Sequence, residues 1–163
     1  MNNDASYDSL YIIIEVNYMA TVTLHSFGYS SSVPPKTDNH MILSVKHFPA
    51  PPKNLRQMNG THQQFYDGYW NEATDDLYQS LLRDIETNFT RKITDIYIGC
   101  HQGCHRSVAC VERLKRDLTL PNIDKMEVVH DDLIIKNGKI VRSKNRSKDR
   151  DRKRENQWFS EHN

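Results

Sequence analysis

Within the ten residues Gly99–Val108 lie two thiols (Cys100 and Cys104), two imidazoles (His101 and His105), a guanidinium (Arg106) and a hydroxyl (Ser107), interleaved with Gly99, Gln102 and Gly103. Three chemistries are open to such a set. In the first, a phosphate is bound: Arg106 presents a planar fork to two of its oxygens, His105 and Ser107 add shorter donors, and Gly103 lets backbone amides come close. In the second, Cys100 attacks phosphorus as a thiolate while Arg106 holds the equatorial oxygens and Ser107 assists the departing sulfur. In the third, Cys100, His101, Cys104 and His105 ligate a metal; but all four sit on one turn, whereas structural zinc draws on separated pairs, so no metal or resident cofactor is expected. Cys110 reads as a core residue.

The flanking elements decide among these. The run Ile93–Ile98 (ITDIYI) reads as a buried strand, and Val108, Val111, Leu114 and Leu118 recur at helical spacing over about residues 105–118, with Pro121 as a stop. The reactive stretch is therefore a strand-to-helix turn. A helix start leaves backbone N–H groups without intrahelical partners and carries partial positive charge, which favours an anion. Gly99, Cys100, His101, Gln102, Gly103, Cys104, His105, Arg106 and Ser107 are the expected phosphate-binding residues. The remaining elements are strands at Thr21–Phe27, Met41–Val45 and Met126–His130, the last read as the final strand, and a short helix or covering loop over 61–70. Leu77, Leu81, Ile85 and Phe89 mark one face of an amphipathic helix over about 72–89, N-capped by Asn71 or Thr74, with Asp75, Asp76, Asp84 and Glu86 on its solvated side. Glu112–Arg116 and Arg113–Asp117 are spaced as surface ion pairs. Strands alternating with helices predict an α/β fold, with ligands beyond the carboxyl ends of the strands; His47 lies in that region as a surface-loop residue or a further anion contact.

Gly99-Cys100-His101-Gln102-Gly103-Cys104-His105-Arg106-Ser107-Val108 resembles the GCTGGxHRSV signature of the C-terminal domain of RapZ, a family of bacterial RNase adapter proteins. Ser26-Phe27-Gly28-Tyr29 is similar to that family's SFGY/SFGF, Val45-Lys46-His47-Phe48-Pro49 stands where it has DVRFLPNP, Leu55–Gly60 (LRQMNG) resembles its LRPLTG, and His130-Asp131-Asp132-Leu133 its closing HRDL. The likeness runs over about residues 21–133. It implies a single small α/β domain with a mainly parallel sheet, similar to part of phosphofructokinase. It also implies non-catalytic binding of an amino-sugar phosphate, glucosamine-6-phosphate, together with a small RNA presented to a partner nuclease. Arg56 matches a basic position of the family and would contact RNA. His101 and Gln102 stand where the family usually has Thr-Gly, and Ser30 replaces a basic residue. Cys100-x5-Arg106 also matches the C-x5-R pattern of cysteine-dependent phosphatases, but Gly99 replaces the histidine usual before their cysteine. Asp67, Asp75 and Asp76 sit in no recognisable acid loop. The family has an N-terminal nucleotide-binding domain whose G-x-x-x-x-G-K-[ST] pattern does not occur among these residues.

The 163 residues and net charge of +1 fit one domain, preceded by an extension over 1–20 that is either an edge strand (Tyr11–Val16) or lies upstream of a start at Met19. Three cysteines fit a reducing, cytoplasmic setting rather than a disulfide framework, and no run reaches the ~20 apolar residues that span a bilayer, so no membrane association is expected. Near-neutrality hides an asymmetry. Residues 136–154 hold ten Lys or Arg against two Asp, a balance of 10 − 2 = +8, leaving +1 − 8 = −7 for the rest. A disordered basic tail over 136–163 follows, with Lys144, Arg146, Lys148, Arg150, Arg152, Lys153 and Arg154 available for RNA, for nuclear import or for solubility. Self-association into a homo-oligomer stays open at this point.

Overall fold

The computed structural model describes residues 20–142 apart from Ser32, Pro35, Asn137 and Gly138. The N-terminal extension, with Tyr11–Val16 and Met19, and the basic run from Lys144 to Arg154 lie outside the described residues. β-branched alternation in Ala20–Gly28 produces β1, followed by β2 (His40–Ser44), a 3-10 turn at Lys53–Leu55, α1 (Gln63–Tyr69), α2 (Glu72–Asn88), β3 (Asp95–Cys100), α3 (Arg106–Asp117), β4 (Ile123–His130) and a terminal pair, β5 (Leu133–Lys136) and β6 (Lys139–Arg142). The first four strands make one parallel sheet in the order β2-β3-β1-β4, and β5 and β6 form a separate antiparallel hairpin. This is the α/β domain with a parallel sheet that the sequence predicts.

Alternation sorts each strand into two faces. Val22 and Leu24 of β1 and Ile96, Ile98 and Cys100 of β3 are buried against Leu81 and Ile85 of α2 and Val111 and Leu114 of α3. On the opposite face His25, paired in register with Tyr97, stacks on that ring at 4.2 Å, and its Nε2 lies 3.1 Å from Asp95 Oδ1. Asn71 caps α2 in a reciprocal capping box with Thr74. Of the four residues expected to form the buried stripe of α2, Leu81 and Ile85 are fully buried, while Leu77 and Phe89 are partly buried at its edge; Tyr78 completes the core instead.

Four expectations need correction. The strand ending at His130 is not the last, and the basic tail expected from residue 136 begins with ordered chain, since β6 pairs with β5 as far as Arg142. Helix α3, Arg106–Asp117 with His105 and Leu118 as its caps, keeps the bounds expected of it and ends ahead of Pro121. Glu112 faces β4, where its Oε1 lies 2.8 Å from His130 Nε2, rather than pairing with Arg116. Arg113 does reach Asp117, but it also bonds Asp75 and lies over the rings of Trp70 and Tyr78 at 4.6 and 4.0 Å. It is thus a packed cation between α2 and α3 rather than a solvated one, and Asp75 is its partner rather than part of a bare acidic face.

Candidate functional site

The loop Gly99–His105 rests on the carboxyl ends of three strands. Register sets Gly28 of β1 beside Cys100 and Ser44 of β2 beside Gly99. The ladder then continues past the strands: Tyr29 N–H donates to Cys100 O (2.9 Å), Ser30 N–H to His101 O (3.0 Å) and Val45 N–H to Gly99 O (2.8 Å). Close approach demands glycine here. A Cβ on Gly28 would lie 2.6 Å from the carbonyl carbon of Gln102, and Gly103 has φ +68°, with a Cβ there driven into the Asp132 carboxylate and within 2.7 Å of Gly28 N.

Asp132 fastens this arrangement. It is 2 % exposed, and its Oδ2 accepts the Gly28 N–H at 2.7 Å. The loop is thus backed by a carboxylate from the turn after β4. Sequence reasoning placed Asp132 in a family-like tetrapeptide without giving it a role, because its acceptor function depends on a residue 104 positions away. Next to it, Asp131 N–H donates to Ser26 O, and Ser26 Oγ is 2.7 Å from His130 Nδ1.

The nine loop residues play different parts. Cys100 Sγ accepts the Gly103 N–H at 3.2 Å and lies 3.2 Å from Ser107 Oγ; both side chains are buried. Ser107, expected as a ligand donor, instead turns inward to the thiol, because the first turn of α3 packs that position against the sheet. Cys104 is buried, with its thiol donating to Gln102 O (3.4 Å), and His101 and Gln102 are exposed. His105 is the N-cap of α3 but makes no side-chain cap bond; its Nε2 faces Arg56 O at 3.1 Å and its ring stacks on Phe65. The guanidinium of Arg106 donates from Nη1 to Lys46 O (2.6 Å) and Phe48 O (2.9 Å), so part of the fork expected for phosphate secures the loop after β2. Arg56 donates from Nε to Pro51 O (2.9 Å) and is otherwise exposed. His47 is exposed with its ring edge against Phe48, outside the cleft.

The cleft between these parts has a volume of about 370 Å³ and is lined by Ala50, Pro51, Arg56, Cys100, His101, Gln102, His105 and Arg106. Among the described residues two guanidiniums line it and no carboxylate does. The first turn of α3 holds no acidic residue either, so the positive end of that helix meets no compensating side chain of its own. Among the described residues no three His, Cys, Asp or Glu side chains converge as a metal-holding group, and no helix is long and apolar enough to cross a membrane. Among the described residues Cys100, Cys104 and Cys110 form no disulfide.

Compared with known proteins, the pattern described as the RapZ C-terminal domain matches residues 20–134. Curated relatives include a nucleotide-binding protein of Pediococcus pentosaceus, 37% identical over 103 residues (58% of this chain and 34% of that protein). Nucleotide-binding proteins of Corynebacterium diphtheriae and Saccharopolyspora erythraea are 31% and 30% identical, over 80% and 73% of this chain and 48% and 43% of theirs. The chain spans between a third and a half of the length of these relatives.

Proposed function

The chain belongs to the RapZ C-terminal domain family, and from that premise we propose that its β3–α3 loop binds the phosphate of a phosphorylated small molecule without transforming it. The observation that carries this reading is the cleft itself: it joins the uncapped start of α3 to Arg106 and Arg56 and has no carboxylate in its lining. Glucosamine-6-phosphate, which the family resemblance implies, is the first ligand to try. An RNA contact through Arg56 and the basic run Lys144–Arg154 would add the adapter role, with a partner nuclease as the recipient. Reduced buried thiols agree with a cytoplasmic setting.

A thermal-shift series with inorganic phosphate, sugar phosphates and nucleotides tests the reading, because a ligand that binds only the folded chain must raise Tm. Phosphate compounds are expected to stabilise the wild type, and Arg56→Ala, which removes one exposed guanidinium, should reduce that shift without changing the unliganded Tm. If no phosphate compound shifts the melt, the reading fails.

One observation favours the phosphatase alternative. Cys100 Sγ is met by the Gly103 amide and lies beside Ser107 Oγ, the surroundings a thiolate nucleophile uses. Against it stands the cleft lining, which offers no carboxylic acid to protonate a leaving group. Cys100→Ser separates the two: binding survives the substitution, whereas hydrolysis of an aryl phosphate by the wild type, abolished by it, would replace the binding reading with the enzymatic one.

A further inference from the structure

A second cleft, about 320 Å³, opens on the other side of Arg56, Gln102 and His105, which line both. Its outer wall is the β5–β6 hairpin, through Leu133, Ile140 and Val141, and its floor includes Met58. The hairpin is tied to the 55–60 turn by Asn59, whose Nδ2 donates to Ile140 O at 3.1 Å while its Oδ1 accepts from Thr61. Ile140 and Val141 lie beyond residue 134, where the match to the family ends. The part of the wall that Ile140 and Val141 supply therefore lies outside the shared pattern, while the rest of the lining lies within it.

We propose that the second lobe receives the nucleobase of a nucleoside monophosphate whose phosphate sits at the β3–α3 loop; the inference rests on the phosphate-binding reading of that loop. Three features of the lobe select this class. Arg56, Gln102 and His105 line both clefts, so the two lobes are neighbours and a group in the second can be attached to a phosphate in the first by a short linker such as ribose. Aliphatic side chains of Leu133, Ile140, Val141 and Met58 suit the flat apolar face of a heterocycle, and suit a hexose ringed by hydroxyls poorly. Besides Arg56, Asn59, Cys104 and His105, the polar lining includes Gln57, His62 and Gln102, groups that can meet the hydrogen-bonding edge of a base. An amide both donates and accepts, so the lobe selects a base over no base more strongly than one base over another.

Calorimetric titration of the whole chain with inorganic phosphate, ribose-5-phosphate, AMP, UMP and adenosine tests this. AMP and UMP are expected to bind at least tenfold more tightly than ribose-5-phosphate. Ile140→Gln, a neutral change at a position 41 % exposed in the hairpin, should return both to the ribose-5-phosphate value and leave phosphate and ribose-5-phosphate unchanged. Equal affinities for AMP, UMP and ribose-5-phosphate overturn the proposal, as does an Ile140→Gln variant that weakens all of them alike. If no phosphate compound binds but adenosine does, and loses affinity in Ile140→Gln, the phosphate reading of the first lobe falls and the base lobe stands. Binding of neither class overturns both.

Discussion

Replacing Gly103 with alanine should cost the domain about 2.5 to 4 kcal/mol, because two penalties coincide at one atom. A non-glycine residue at φ +68° pays roughly 1 kcal/mol for its backbone conformation. The new Cβ also collides with the Asp132 carboxylate, which must swing away from the buried Gly28 N–H it now accepts at 2.7 Å; losing a hydrogen bond to a charged group costs about 1.5 to 3 kcal/mol. With a urea slope of roughly 1.5 to 2 kcal/mol per molar, the unfolding midpoint should fall by about 2 M. The double variant isolates the cause. Once Asp132→Ala has removed the carboxylate, adding Gly103→Ala should cost only what the left-handed backbone and the contact with Gly28 N impose; the hydrogen-bond share is lost once, so the two changes couple by roughly 2 kcal/mol. Additive losses, or a Gly103→Ala midpoint within about 0.5 M of wild type, would refute the claim that Asp132 and Gly103 are one fastening.

Stability should vary with pH in both directions from a mildly acid optimum. Burial alone would depress the His25 pKa, but the carboxylates of Asp131, 3.6 Å away, and of Asp95, hydrogen-bonded to Nε2, outweigh it and hold the imidazolium above its ordinary 6.5. That stabilisation is complete below pH 6.5 and is lost as pH rises through the folded-state value, so Tm should decline on the alkaline side and His25→Gln should flatten that limb. The hydrogen bond from His130 holds the Glu112 carboxyl below its ordinary 4.5, so its contribution is present above that pH and disappears as acid protonates it; Glu112→Gln should shallow the acid limb. Arg113→Ala, which strips a half-buried guanidinium from Asp75, Asp117 and two aromatic faces, should cost about 2 to 3 kcal/mol, and Arg113→Lys about half as much; urea unfolding with Trp70 fluorescence as one probe checks both. Gly60→Ala would press a Cβ to 2.5 Å from Ala109 N and His105 O in the first turn of α3, so it should lose about 2 kcal/mol and, in a thermal-shift titration, the phosphate response as well.

The sequence made the scaffold readable because its signals are local. Alternation in Thr21–Phe27, the i, i+4 stripe of α2 and the strand–glycine–helix order around Gly103 each report on contacts within a few residues. What it concealed depends on pairing across the chain. Glu112 carries equal i,i+4 opportunity toward Arg116, and only the seating of α3 against β4 reveals His130 as its partner. Arg106 has the chemistry of a phosphate fork in any context; that Nη1 serves the carbonyls of Lys46 and Phe48 follows from where β2 ends. The hairpin was masked by its own surface: Ile134, Ile135 and Ile140 are all over 40 % exposed, and the lysines between them read as the start of a charged tail. Asp132 has no role that HDDL alone discloses, since its partner, the Gly28 N–H, lies 104 positions away.

The Asp132–Gly28 bond also sets an order of events during synthesis. β1 is made before its outer neighbour β4, and the carboxylate that clasps its end follows 104 residues after Gly28. At translation speeds of 5–20 residues per second, that separation is an interval of roughly 5 to 20 s. Until β3 is made both edges of β1 are unpaired, and once the Gly99–His105 loop has followed it still lacks the carboxylate that fastens it. Ligand capture therefore cannot assist the early folding of this domain; it can only reward a chain whose sheet is already closed.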